Sequence, residues 1–223
     1  MATGDKASGG KSRSTRPKSA KAGTGAKPVA SDPVLGPLSR YKFGGLVTEA
    51  KPVAFLGGHS CRFVLQDFEE DPQPDEFRAA VRNALDAKPA ILKAAEPHVV
   101  QYCMDALARY DDDDRPALVL EKPGDVWSHV QFGDEFIVRR RTAGEAEHGV
   151  YLSLTCDCDW DDEHGLQLVL RDGRAITKVG PYNGHLTNAD ASGNPALADV
   201  VYRRVGGVVG VAEGPPSERE AGR

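Results

Sequence analysis

Three strand-like runs, Gly149–Trp160, Leu166–Arg171 and Arg174–Gly180, follow one another with only short turns between them. This segment constrains the fold more than any other. Asp172-Gly173 is a strong two-residue hairpin turn, because both central positions of the favoured turn need positive φ. Period-two alternation sorts the long run: Leu152, Leu154, Cys156, Cys158 and Trp160 point one way, and Tyr151, Ser153, Thr155, Asp157 and Asp159 the other. The apolar set is expected to face helices.

Between the first two runs, Cys156 to Gly165 packs two thiols, five carboxylates, an indole and an imidazole into ten residues. The second and third runs are nearly equal in length, about 20 Å each at roughly 3.3 Å per residue, so their travel cancels. The loop 181–190 is therefore expected at the same rim as the turn 161–165. That convergence nominates Asp161, Asp162, Glu163, His164, Tyr182, His185, Asn188 and Asp190 as a ligand or partner contact site. His164 and His185 are expected within reach of a shared ligand or water.

Three readings of this rim stand side by side. Glu163 and His164 can simply fix a turn, with Gly165 supplying positive φ. The cluster can contact a small ligand or a partner. It can also hold a divalent metal through His164, His185 and Glu163, in which case hydrolysis would use metal-bound water, since no nucleophilic serine, cysteine or lysine adjoins it. No metal is favoured, and no catalytic residue is assigned. An EF-hand is excluded by Asp162 at the glycine position and Leu168 at the bidentate position. A zinc site through Cys156 and Cys158 lacks a second cysteine pair. Cys61, Cys156 and Cys158 alternate with apolar residues, Cys103 stands at helical spacing from Val99 and Leu107, and all four read as buried core.

The rest of the chain supplies the packing partners. Residues 44–48, 52–56 and 60–67 read as short strands. Phe77, Val81 and Leu85 mark one helix, and Pro89 starts a second helical region that Pro97 is expected to divide, leaving a helix over 96–110. Residues 117–121, 126–132 and 135–140 read as further strands, and 196–204 as a closing helix. Trp127 and His129 would share the less apolar face of their strand. Strands, helices, then a strand meander point to an α+β fold, an antiparallel meander packed on a helix pair.

Charge is divided unevenly. Residues 1–33 carry seven Lys or Arg against two acids, +5, while the remaining 190 residues carry 21 basic and 31 acidic, −10. Gly, Ser, Lys, Ala and Pro dominate the first 33, a composition too polar to offset chain entropy. The expected organisation is a disordered basic tail over 1–33, a single domain over 34–212 and a flexible tail over 213–223. The basic tail offers a weak nucleic-acid contact, without the interleaved aromatics that base stacking requires. No secretory h-region or membrane-length apolar run occurs, so the expected location is cytoplasmic.

The strands, the helix pair and the hairpin resemble an uncharacterised bacterial family of small α+β domains with the signature Cys-x-Trp-Asp-x-Glu-His-Gly. Here the signature falls on Cys158, Trp160, Asp161, Glu163, His164 and Gly165, and the resemblance covers 40–190. It implies no established activity and a loose association with immunity or accessory proteins of bacterial conflict systems. The expected function is therefore a cytoplasmic, non-enzymatic interaction module, of the immunity type, whose acidic body engages a basic protein partner. The alternatives are a metal-dependent hydrolase or small-ligand binder at the His164/His185 rim, and a nucleic-acid-associated protein acting through its arm.

Overall fold

The structure is a computed structural model and describes residues 27–142 and 148–204. Ten strands are present among them: β1 (Ala30–Asp32), β2 (Gly36–Arg40), β3 (Leu46–Thr48), β4 (Lys51–Val53), β5 (His59–Leu65), β6 (Val130–Gln131), β7 (Glu135–Arg140), β8 (Val150–Cys158), β9 (Leu166–Arg171) and β10 (Ala175–Gly180). The main sheet runs β1-β2-β3-β5-β7-β8-β9-β10, with β4 paired to β5 and β6 to β8. Consecutive strands from β7 to β10 are antiparallel neighbours, whereas β5 and β7 are parallel. The sheet is thus mixed, and the fold is α+β. The parallel pair needs a crossover, which the two long helices provide.

Helix α1 (Pro74–Asp86) starts with Pro74 at its first turn and with Asp75 and Glu76 at the end where carboxylates are favourable. It buries Phe77, Ala80, Val81 and Ala84 against β7, β8 and β4. Helix α2 (Ala90–Leu107) buries Ala95, Val99, Tyr102, Cys103 and Ala106 and packs against β10. Pro97 lies inside α2 without dividing it, contrary to the expected break. Proline removes one N–H and crowds one carbonyl, a local cost of about 3 kcal/mol that the buried stripe on either side offsets.

The alternation on β8 sorts as the sequence indicates. Leu152, Leu154, Cys156, Cys158 and Trp160 all join the core beneath the helices. Its other face is covered along part of its length: Tyr151 and Ser153 are buried too, while Asp157 is exposed. Leu186, from the chain beyond β10, covers Tyr151 and Val169 in a second small apolar cluster. At the far hairpin, Asp172 and Gly173 both have positive φ. A Cβ on Gly173 would lie 2.1 Å from the carbonyl oxygen of Ala80, so the turn rests directly on the α1 backbone. The Asn83 amide secures it by donating to the Asp172 carbonyl at 2.9 Å.

Several expectations are corrected. Residues 117–121 form no strand, and 126–132 are mostly a 3-10 helix (Pro123–His129), with only Val130–Gln131 extended. Pro123 and the Asp125 side chain, which accepts the Glu121 and Lys122 N–H groups at 3.0 Å, tighten that turn and override the alternation. The closing element is α3 (Asn188–Ser192) followed by a short 3-10 turn (Pro195–Leu197), not a helix over 196–204. The folded chain also begins before residue 34. Strand β1 lies within the stretch read as tail, and Asp32 is buried, accepting from the Leu35 N–H and the Arg78 guanidinium at 2.9 and 2.8 Å. A charge partner 46 residues away gives that stretch a place its composition does not reveal. Residues 1–26 and 205–223 lie outside the described residues, and the disorder expected for them with them.

Candidate functional site

The turn between β8 and β9 is built around Asp161. Its Oδ1 accepts the main-chain N–H of His164 at 2.9 Å, and the Nδ1 of His164 stands 3.2 Å from the same oxygen. Its Oδ2 accepts from the Tyr102 hydroxyl on α2 at 2.8 Å, and that hydroxyl also lies 2.9 Å from the Gly165 carbonyl. The Gly165 N–H closes the turn on the Asp161 carbonyl at 2.9 Å, with φ at +63° on Gly165, a conformation that glycine adopts without steric cost. The Trp160 ring meets Tyr102 edge-on at 5.9 Å. Cys158, Trp160, Asp161, His164 and Gly165 therefore form a clip that fastens the hairpin to α2.

Burial pushes the Asp161 carboxyl upward, but hydrogen bonds from the His164 N–H, the Tyr102 hydroxyl and the His164 ring outweigh it and hold the group below its ordinary 3.8. The Tyr102 hydroxyl is pushed up by burial and by the Asp161 charge. A carboxylate held ionised with these partners is suited to anchoring, and both of its oxygens take part in structural hydrogen bonds. The Trp160 indole N–H is buried and has no described partner.

Outward from the clip the surface is acidic. Asp162 and Glu163 are exposed. Beside them lies the end of α2, where the Tyr110 hydroxyl donates to the Trp160 carbonyl at 3.3 Å. Burial and the charges of Asp162 and Asp161 push the Tyr110 hydroxyl up, an electrical sign of the same proximity. Asp111, Asp112, Asp113 and Asp114 follow at once and are all exposed. The basic residues among them are Arg115, 3.2 Å from Asp112, and Arg109, 3.9 Å from Asp161.

The second half of the expected rim goes elsewhere. The register of β10 on β9 pairs Gly180 with Gln167, so the chain leaves β10 at the rim of the clip, as equal strand lengths require. It then doubles back over the face of the sheet away from the helices. The His185 carbonyl accepts from the Gln167 amide at 3.2 Å, and Leu186 packs on Tyr151 and Val169. Asn188 is buried and donates to the Val200 carbonyl at 2.7 Å. Asp190 meets the Arg141 guanidinium at 2.7–3.1 Å, beyond the other end of β7. Burial pushes the Asp190 carboxyl up, and the bonds from Arg141 and Thr187 hold it below its ordinary value.

Asn188 and Asp190 are thus structural, and neither joins His164. The physical reason is the apolar spot on the second sheet face, which draws Leu186 and its neighbours across it. Tyr182 is half-exposed. The His164 ring lies 3.2 Å from the Asp161 carboxylate, whereas the main chain of His185 bonds to Gln167 on the second sheet face. No three His, Cys, Asp or Glu side chains among the described residues group as a metal ion would need, so His164, His185 and Glu163 do not make a metal centre.

Two residues of note carry only weak sequence signals. Tyr102 could be found from its helical spacing with Val99 and Cys103. Lys178, 1% exposed on β10, was hidden by a β-bulge at Thr177 that shifts the alternation. A cleft of about 540 Å³ lies between α1 and the far hairpin, lined by Glu76, Asn83, Arg140, His148 and Arg174. Arg140 is already committed there, to Asp71 at 2.7 and 2.9 Å and to Glu76 at 2.6 Å.

Fold and site together define an α+β domain in which a hairpin is clipped to a helix through a buried Tyr–Asp pair. Residues 34–186 match the family described as Domain of unknown function (DUF6985), and the chain belongs to that family. No curated protein and no solved structure matches it. None of the described helices is long and apolar enough to cross a membrane.

Proposed function

We propose that the domain is a non-enzymatic binding module whose acidic end engages a basic protein partner. The observation that carries this reading is the contact of the α2 terminus with the hairpin turn. It sets Asp111–Asp114 beside Asp162 and Glu163 on one solvent-facing end. Two segments fifty residues apart in sequence thereby contribute to one acidic surface. Residues 34–223 carry a net −10, which adds long-range attraction for a basic partner and speeds encounter at low salt. The buried carboxylate of the turn, Asp161, is engaged through both oxygens in bonds that hold the hairpin to α2, which supports an anchoring role.

The test is capture from the native host at low and at high ionic strength. The reading expects one basic protein held at low salt and released at high salt, because surface charge pairs are screened within about 10 Å at 0.1 M. A captured partner indifferent to salt, or recovery of none at either ionic strength, contradicts it.

A further inference from the structure

Lys178 is the one buried lysine among the described residues, and it pairs with Val169 on the sheet face turned away from the helices. Its amine donates to Oε1 of Gln167 on β9 and to Oδ1 of Asn183 at 2.8 Å. Both acceptors are neutral amide oxygens. A neutral amine has two N–H groups and matches these two acceptors, whereas an ammonium has a third, for which no partner is described. One acceptor belongs to the segment that covers the amine. The described contacts that otherwise hold that segment, from Pro181 to Thr187, to the sheet are the Arg139 guanidinium on the Gly184 carbonyl, the Gln167 amide on the His185 carbonyl, and Leu186.

We propose that residues 181–187 form a strap over the second face of the sheet, closed when Lys178 is neutral and loosened when it is protonated. With the strap closed, burial pushes the amine from its ordinary 10.5 down to about 8. With the strap open the amine meets water and regains its ordinary affinity for a proton. The closed form then binds protons less tightly than the open one, so closure strengthens as pH rises through the interval between those two values. The other charged or titratable groups around the strap are Arg139 on β7, Tyr151 on β8, Arg171 on β9, and Tyr182 and His185 on the strap. The Asp190–Arg141 pair lies at its far end. Opening would uncover Tyr151 and Val169, an apolar face now hidden.

Hydrogen exchange of the amides of 182–187, corrected for the chemical exchange rate, reads the opening equilibrium directly. From pH 7 to pH 9 the strap should gain about tenfold protection in the full-length protein, the ratio that the two affinities imply. The Lys178→Met variant should show no such gain while keeping the protection of β8 and β9. His185→Asn should keep the gain. A gain that persists in Lys178→Met, or that vanishes in His185→Asn, overturns the proposal. If Lys178→Met fails to fold, titration of the lysine Nζ resonances of the unmodified protein decides instead. A Lys178 amine titrating near 8 supports the strap, and one titrating at the ordinary lysine value overturns it.

Discussion

The Tyr102 hydroxyl donates to Asp161 Oδ2 at 2.8 Å across 59 positions of sequence, and this bond joins the second helix to the turn that carries the most distinctive residues of the chain. Removing one partner leaves the other buried without its bond. Tyr102→Phe should lower stability by about 1–3 kcal/mol, and Asp161→Ala by more, since Asp161 also closes its own turn. Urea unfolding of both single variants and the double variant measures this. Losses that simply add would show that the two residues do not act through one another.

Acid should undo the same clip. Asp161, together with Asp32, Asp71 and Asp190, is held below the ordinary 3.8 in the folded chain. The folded state therefore binds fewer protons than the unfolded one, and stability present above that value is lost as pH falls through the folded values. The urea midpoint should drop steeply below pH 4 and drop less in Asp161→Asn. An identical acid slope in that variant would remove Asp161 from the account.

Much of this arrangement could be read beforehand, and the limits have physical causes. The hairpins from Gly149 to Gly180 declare themselves because alternation and an Asp-Gly turn agree. The helices do so because Phe77, Val81 and Val99, Cys103 repeat at helical spacing. The path of 181–190 does not, because the patch of Tyr151 and Val169 that draws Leu186 across the sheet is a tertiary feature. Strand β1 was hidden because its anchor, Asp32 to Arg78, depends on a distant charge rather than on local composition. Asp190 likewise is fixed by Arg141, a partner 49 residues away that local sequence does not reveal.

That ion pair carries its own prediction. Arg141 and Asp190 are each about nine-tenths buried at the side chain, and removing Asp190 takes from the Arg141 guanidinium its buried carboxylate partner. Asp190→Ala should cost about 3 kcal/mol or more, and replacing both residues should cost less than the sum. Thermal unfolding of the three variants measures it.

At the far hairpin, Gly173→Ala should destabilise by more than about 1 kcal/mol. The added Cβ would overlap the Ala80 carbonyl, and its φ of +67° disfavours any side chain. Chemical unfolding checks this, and a neutral result would show that the turn can shift off α1.

The cysteines give a simple assay of the core. All four are buried and none forms a disulfide. Burial pushes Cys61 and Cys156 up to about 12 and Cys103 to about 11. Native protein at pH 8 should react negligibly with a thiol reagent, and unfolded protein should release four equivalents. Rapid reaction of any thiol in the native state would contradict the packing described.

The most direct test separates the clip from the surface around it. A variant with Asp112, Asp113, Asp114 and Asp162 changed to Asn and Glu163 to Gln removes five exposed charges while leaving Asp161 and Tyr102 in place. Its binding to the captured partner at low salt is measured beside that of the unmodified protein. Binding should be lost while urea stability is unchanged. Undiminished binding by the neutralised variant would contradict the proposed acidic interface.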